Sequence, residues 1–76
     1  MTNTTRRIKR GQHYRGMEVR VELRHLINGT NVVTGEVSGW GTQVLGIYPD
    51  QESKANGWTW KRHEISNVSI SAVYAL

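Results

Sequence analysis

The clearest pattern in the chain is strict alternation. In MEVRVELR, residues 17–24, Met17, Val19, Val21 and Leu23 fall on one side of an extended chain, and Glu18, Arg20, Glu22 and Arg24 on the other. Apolar residues at every second position, with β-branched types among them, predict a half-buried strand. The polar side alternates in sign, which favours cross-strand pairing and discourages edge-to-edge association. HLINGTN (25–31) carries Asn28 and Gly29, a strong hairpin signal because both residue types tolerate positive φ. A second strand is predicted over VVTGEVSGW (32–40) and a third over QVLGIYP (43–49), joined tightly through SGWGTQ (38–43). Gly35 and Gly46 lie inside these strands, where a glycine marks a bulge or a sharp bend. DQESKANG (50–57) reads as a polar loop. WTWKRHEI (58–65) reads as a fourth strand with Trp58 and Trp60 on one face, and SNVSISAVYAL (66–76) as a fifth with Val68, Ile70, Ala72 and Tyr74 on one side. No stretch has helical periodicity to compete with this pattern, and there are no internal repeats.

Five short strands with tight turns and interior glycines predict an all-β fold, a small five-stranded antiparallel barrel of the SH3-like or OB-like kind. The expected core is Met17, Val19, Val21, Leu23, Val33, Val37, Val44, Ile65, Val68 and Ile70. Residues 1–16, with two glycines and no clean periodicity, are expected to form a flexible, largely unstructured arm, leaving 17–76 as the barrel domain.

Length limits what this core can do. A chain of 76 residues is one domain, and it buries only about 60–65% of the surface exposed by its unfolded form. Burial between subunits is a common remedy at this size. There is no cysteine, which removes disulfides, thiolate metal ligands and a thiol nucleophile. No apolar run approaches the roughly 20 residues that span a bilayer, and the polar, basic beginning lacks the apolar core of a secretory signal. A cytoplasmic protein without membrane association is expected.

Charge placement says more than net charge. The formal balance is +4, yet Arg6, Arg7, Lys9, Arg10 and Arg15 all fall in the first 15 residues, which contain no acid. The body is close to neutral. A basic arm on a neutral body suits a polyanionic partner, although a solubilising leader has the same composition. Lys61, Arg62 and His63 form a second basic cluster, followed by Glu64. Arginine holds phosphate through paired hydrogen bonds, and a neutral imidazole bonds a base edge. Adjacent residues of a regular strand point to opposite faces, so Arg62 and His63 would divide those roles. Trp58 and Trp60 share a face and, in a chain without phenylalanine, are expected together in the core or at a subunit interface. Trp40, between Gly39 and Gly41, is the better candidate for an exposed stacking surface, with Tyr14 in the arm as another. His13 and His25 have no companions at metal-ligand spacing. No Ser-His-Asp set, isolated carboxylate pair or phosphate loop is present, and GWG is not followed by Gly-Lys-Ser/Thr. Neither an enzyme nor a cofactor is expected.

Two regions resemble the Sm-like family. V-x-V-x-L, Asn-Gly, G-E-V-x-G-W and V-L resemble its first motif, and K-R-H-E-I-S-N-V (61–68) resembles the second motif in the bacterial RNA-chaperone branch. The resemblance covers residues 17–70. It implies a ring of identical subunits, closed by pairing the fourth strand of one with the fifth of the next, that binds single-stranded, uridine-rich RNA around a central pore. Arg62 falls on the family's lysine and His63 on its histidine, while Ile65, Ser66 and Val68 fall on the strand that follows. Asn28 and Gly29 fall on its first turn, Gly35 on the glycine that bends its second strand, and Trp40 on the aromatic after it. Gly41 and Thr42 stand where the family has an acid, and Lys61 where it has an aromatic. The nucleic-acid-binding residues expected on these grounds are Lys61, Arg62, His63, Trp40, Arg6, Arg7, Lys9 and Arg10, with DNA as a second possible ligand. The competing readings are an SH3-like protein-interaction or inhibitor module using exposed tryptophans and loops, and a small oligomeric enzyme or ligand binder with sites between subunits.

Overall fold

The computed structural model describes residues 6–27 and 29–76. The fold is all-β: one antiparallel sheet of six strands in the order β1-β6-β2-β3-β4-β5. The strands are β1 (Arg6–Ile8), β2 (Glu18–Ile27), β3 (Thr30–Trp40), β4 (Val44–Pro49), β5 (His63–Ser66) and β6 (Ile70–Ala75). A short helix, α1 (Gln51–Ala55), lies between β4 and β5, and a 3-10 turn at Asn67–Ser69 joins β5 to β6. Among the described residues, no helix is long and apolar enough to cross a membrane.

The alternation at 17–24 produces β2, with Val19 and Val21 fully buried and Glu18, Arg20 and Glu22 on the outer side. Asn28 lies outside the described residues; its neighbour Gly29 has a φ of 79°, the left-handed conformation that the hairpin turn requires. The two interior glycines have different purposes. A Cβ on Gly35 would collide with the backbone of Tyr48, so Gly35 permits close approach of β3 and β4. The bulge itself falls between Val37 and Gly39. Gly46 is covered by Arg62 and Ser38, whose side chains occupy the space a Cβ would need.

The strand count is six rather than five because part of the expected arm is structured. Arg6, Arg7 and Ile8 pair with Ala75, Tyr74 and Val73, and Ile8 is only 3% exposed. The polar loop after β4 also contains the helix α1. Asp50 caps it by accepting from the Ser53 backbone N–H at 2.9 Å, and Ser53 Oγ accepts the Thr34 N–H at 2.8 Å. A helix of this length has no periodicity to read, and its stability comes from the cap and from this attachment to β3.

Two expected core residues lie outside it. Val68 is 80% exposed and Val44 is 37% exposed. Val68 sits in the 3-10 turn, where strand alternation no longer applies. Val44 begins β4 on the polar phase, and the buried volume comes instead from Leu45 and Ile47. Ile8, Trp58 and Val73 complete the core.

The sheet is curled but open. Four strand intervals separate β6 from β5, about 19 Å at ~4.8 Å each in a flat sheet. Yet only Asn67–Ser69 connects them, and the step from Ser66 to Ile70 spans at most about 14 Å. Curling brings those strands together, while no ladder joins the terminal strands β1 and β5 among the described residues.

Candidate nucleic-acid interface

The turn after β1 is held by reciprocal bonds: Gln12 N–H donates to the Lys9 carbonyl at 2.8 Å, and Lys9 N–H donates to Gln12 Oε1 at 2.9 Å. The turn overhangs the start of β6 and encloses a groove of about 610 Å³. Arg7, Lys9 and Arg10 supply its charge, Trp40 and Asn67 a wall, and Ile70–Val73 the strand beneath, with no acidic side chain in the lining. Arg7 also reaches the Ser71 carbonyl at the long distance of 3.5 Å, on the part of β6 that β1 leaves uncovered. Arg6 is exposed on β1 but does not line the groove.

Trp40 is half-buried rather than a free platform. Its indole N–H donates to Asn67 Oδ1 at 2.9 Å, and its ring lies 5.9 Å from that of His13. Asn67 also donates through Nδ2 to the Gly41 carbonyl at 2.9 Å and through its backbone N–H to the Gln43 carbonyl at 2.8 Å. One side chain thus fixes both the β3–β4 turn and the orientation of Trp40 at the rim of the groove.

Lys61, Arg62 and His63 are not part of that groove. The fourth strand of the sequence reading begins only at His63, so the basic cluster lies at the entry to β5 and not at its junction with the last strand. That junction is the 3-10 turn carrying Asn67. Arg62, just outside the strand, and His63, its first residue, make separate contacts. Arg62 lies outward, donating through Nε to Ser38 Oγ and through Nη1 to Glu64 Oε2, both at 2.9 Å. His63 packs edge-on against buried Trp58, with ring centroids 4.9 Å apart. Its Nε2 accepts the Trp60 backbone N–H at 3.2 Å, and burial lowers its pKa below the usual imidazole value. Accepting at Nε2 requires the neutral ring. Lys61 remains exposed.

The tryptophans separate, against the expectation that they share one environment. Trp58 is 1% exposed and Trp60 is 74% exposed. Residues 58–62 are not a strand, so spacing by two imposes no common face. Sequence reasoning overlooked Asn67, whose role depends on a contact across 26 residues, and grouped Trp60 with buried Trp58, whereas its exposure depends on where β5 begins. Neither carries a local signal.

Comparison of the chain with family models, curated proteins and solved structures yields no match.

Proposed function

We propose that this protein binds single-stranded nucleic acid, RNA foremost, through the Arg7–Lys9–Arg10 groove. The observation that carries this reading is the gathering of three cations and an aromatic wall, with no acid, around one groove. Phosphates would pair with the cations, and Trp40 would present a limited apolar surface to a base or sugar. The expected pore site at Arg62 has less support, because its guanidinium already serves Glu64 and Ser38.

The strand order, the curl and the 3-10 link between β5 and β6 support an SH3-like barrel architecture related to the Sm-like type. We place homo-oligomerisation in the same proposal, through the outer edge of β5, which pairs with no other strand among the described residues. The expected pairing of this strand with the last strand of the next subunit is narrowed, since β1 takes Val73–Ala75 of the outer edge of β6.

The test is fluorescence anisotropy with a short oligouridine RNA over a salt series. Each phosphate contact on a single strand contributes about 0.7 to the log–log slope, so replacing Arg7, Lys9 and Arg10 by alanine should flatten it by about 2. A parent that fails to bind at low salt, or a slope unchanged in the folded triple variant, overturns the proposal. Binding of an acidic peptide in preference to RNA would favour a protein-interaction module.

A further inference from the structure

A second aromatic position lies beyond the groove. The chain leaves α1 through Asn56 and Gly57, buries Trp58 in the core, and then brings Thr59 and Trp60 back to the surface. The hydrogen bond from Trp60 N–H to His63 Nε2 closes a tight turn. It fixes the backbone of Trp60, while the indole remains 74% exposed, tilted at 39° to the His63 ring with centroids 6.1 Å apart. Gly57, Thr59, Trp60 and His63 line a recess of about 380 Å³. Lys61, next in the chain, is exposed and makes no ion pair among the described residues.

We infer that Trp60 is a stacking step for one nucleobase of the bound strand, with Lys61 meeting the adjoining phosphate; this rests on the reading of the basic groove. An exposed tryptophan on a pinned backbone loses little freedom when a flat ring covers it, and stacking is tolerant of base identity. The chemistry of the recess favours a base over an aliphatic side chain. The Thr59 hydroxyl and the His63 imidazole offer hydrogen bonds to a polar ring edge, Gly57 leaves room beside them, and the neighbouring charge is positive. The recess precedes β5, whereas Asn67 of the basic groove follows it.

The experiment compares short oligouridine with an abasic phosphodiester of the same length, using the parent, Trp60→Ala and Trp60→Phe, each checked for folding by circular dichroism. The parent should prefer the base-bearing oligomer. Trp60→Ala should weaken that complex roughly tenfold, within the range expected for one stacked base, and leave both its salt slope and binding of the abasic oligomer unchanged. Trp60→Phe should recover most of the loss. Equal parental affinity for the two oligomers, or a Trp60→Ala effect within twofold, overturns the stacking step and leaves the groove reading intact. A parent that binds neither oligomer overturns both.

Discussion

At the scale of single residues, two arginines of the body have identifiable partners. Arg20 lies 3.5 Å from Glu22 and over the Tyr74 ring at 4.9 Å, and Arg62 bridges to Glu64 and Ser38. Glu18 and Glu36 are the opposite case: like charges directly across the β2–β3 ladder, both exposed. Directly opposed like charges destabilise a sheet by a few tenths of a kcal/mol up to about 1. Glu36→Gln should therefore raise the thermal midpoint slightly, with the gain shrinking at high salt as screening removes the repulsion. Arg62→Ala should leave oligouridine affinity within twofold at moderate salt, because the removed guanidinium is committed within the protein. A larger loss in a folded variant would restore the pore reading of the 61–68 stretch. His63 gives a pH prediction with a definite sign. Its pKa is lowered in the folded protein by burial, so the unfolded chain takes the proton first as pH falls. Its linkage penalty is absent well above pH about 6.5, the unperturbed histidine value, and grows as pH falls from there towards the lower folded pKa, below which it levels off. Chemical denaturation of the parent and His63→Gln at pH 8 and pH 5 should show a larger acid-side loss in the parent.

At the scale of elements, β1 changes the meaning of the N-terminal segment. Its side chains divide between groove and core: Arg7 lines the groove while Ile8 is buried. Ile8→Ala should cost about 2–4 kcal/mol through lost burial and the cavity left behind, measured by urea unfolding, and deleting the segment should cost more. Deletion is consequently a poor test of the arm's cations, and side-chain replacement is the cleaner one. Helix α1 depends on its attachments in the same way. Asp50→Ala removes the cap and the contact to the Thr34 hydroxyl, and should destabilise the fold by about 1 kcal/mol. These two elements also show what could be read in advance. The β2–β3 hairpin was legible because alternation and a turn residue are local signals, but its register was not: the turn pairs Ile27 with Thr30, and a shift between Glu22 and Ile27 is what brings Val21 opposite Val33. Strand β1 was not legible: in three residues with one apolar side chain, the decisive partner is β6, more than 60 positions away. The groove was half legible for the same reason. Clustering of Arg7, Lys9 and Arg10 is visible in the chain, but their meeting with Trp40 and Asn67 depends on the curl of the sheet.

At the scale of the whole molecule, the surface divides into a basic groove, a nearly neutral body and the unpaired edge of β5. Two exposed valines lie close to the C-terminal end of β5, Val44 opposite Ser66 on β4 and Val68 in the 3-10 turn that follows. Neither lines the basic groove. Apolar exposure beside a free strand edge invites pairing with another chain unless something blocks it, and a 76-residue protein has limited burial of its own. Sedimentation velocity is therefore expected to show self-association that rises with concentration, and Val68→Lys should return the protein to a monomer by placing charge at the contact. A parent that stays monomeric at high micromolar concentration would refute oligomerisation. The same substitution separates assembly from ligand contact. Bringing several grooves together converts later contacts with one long strand into intramolecular ones, which raises apparent affinity without any new contact. Val68→Lys should then weaken binding of a long oligouridine by about tenfold or more, while affinity for an oligomer too short to reach a second groove stays within twofold. Equal losses on both lengths would mean that residue 68 touches the nucleic acid itself, and the interface would have to be redrawn around the 3-10 turn.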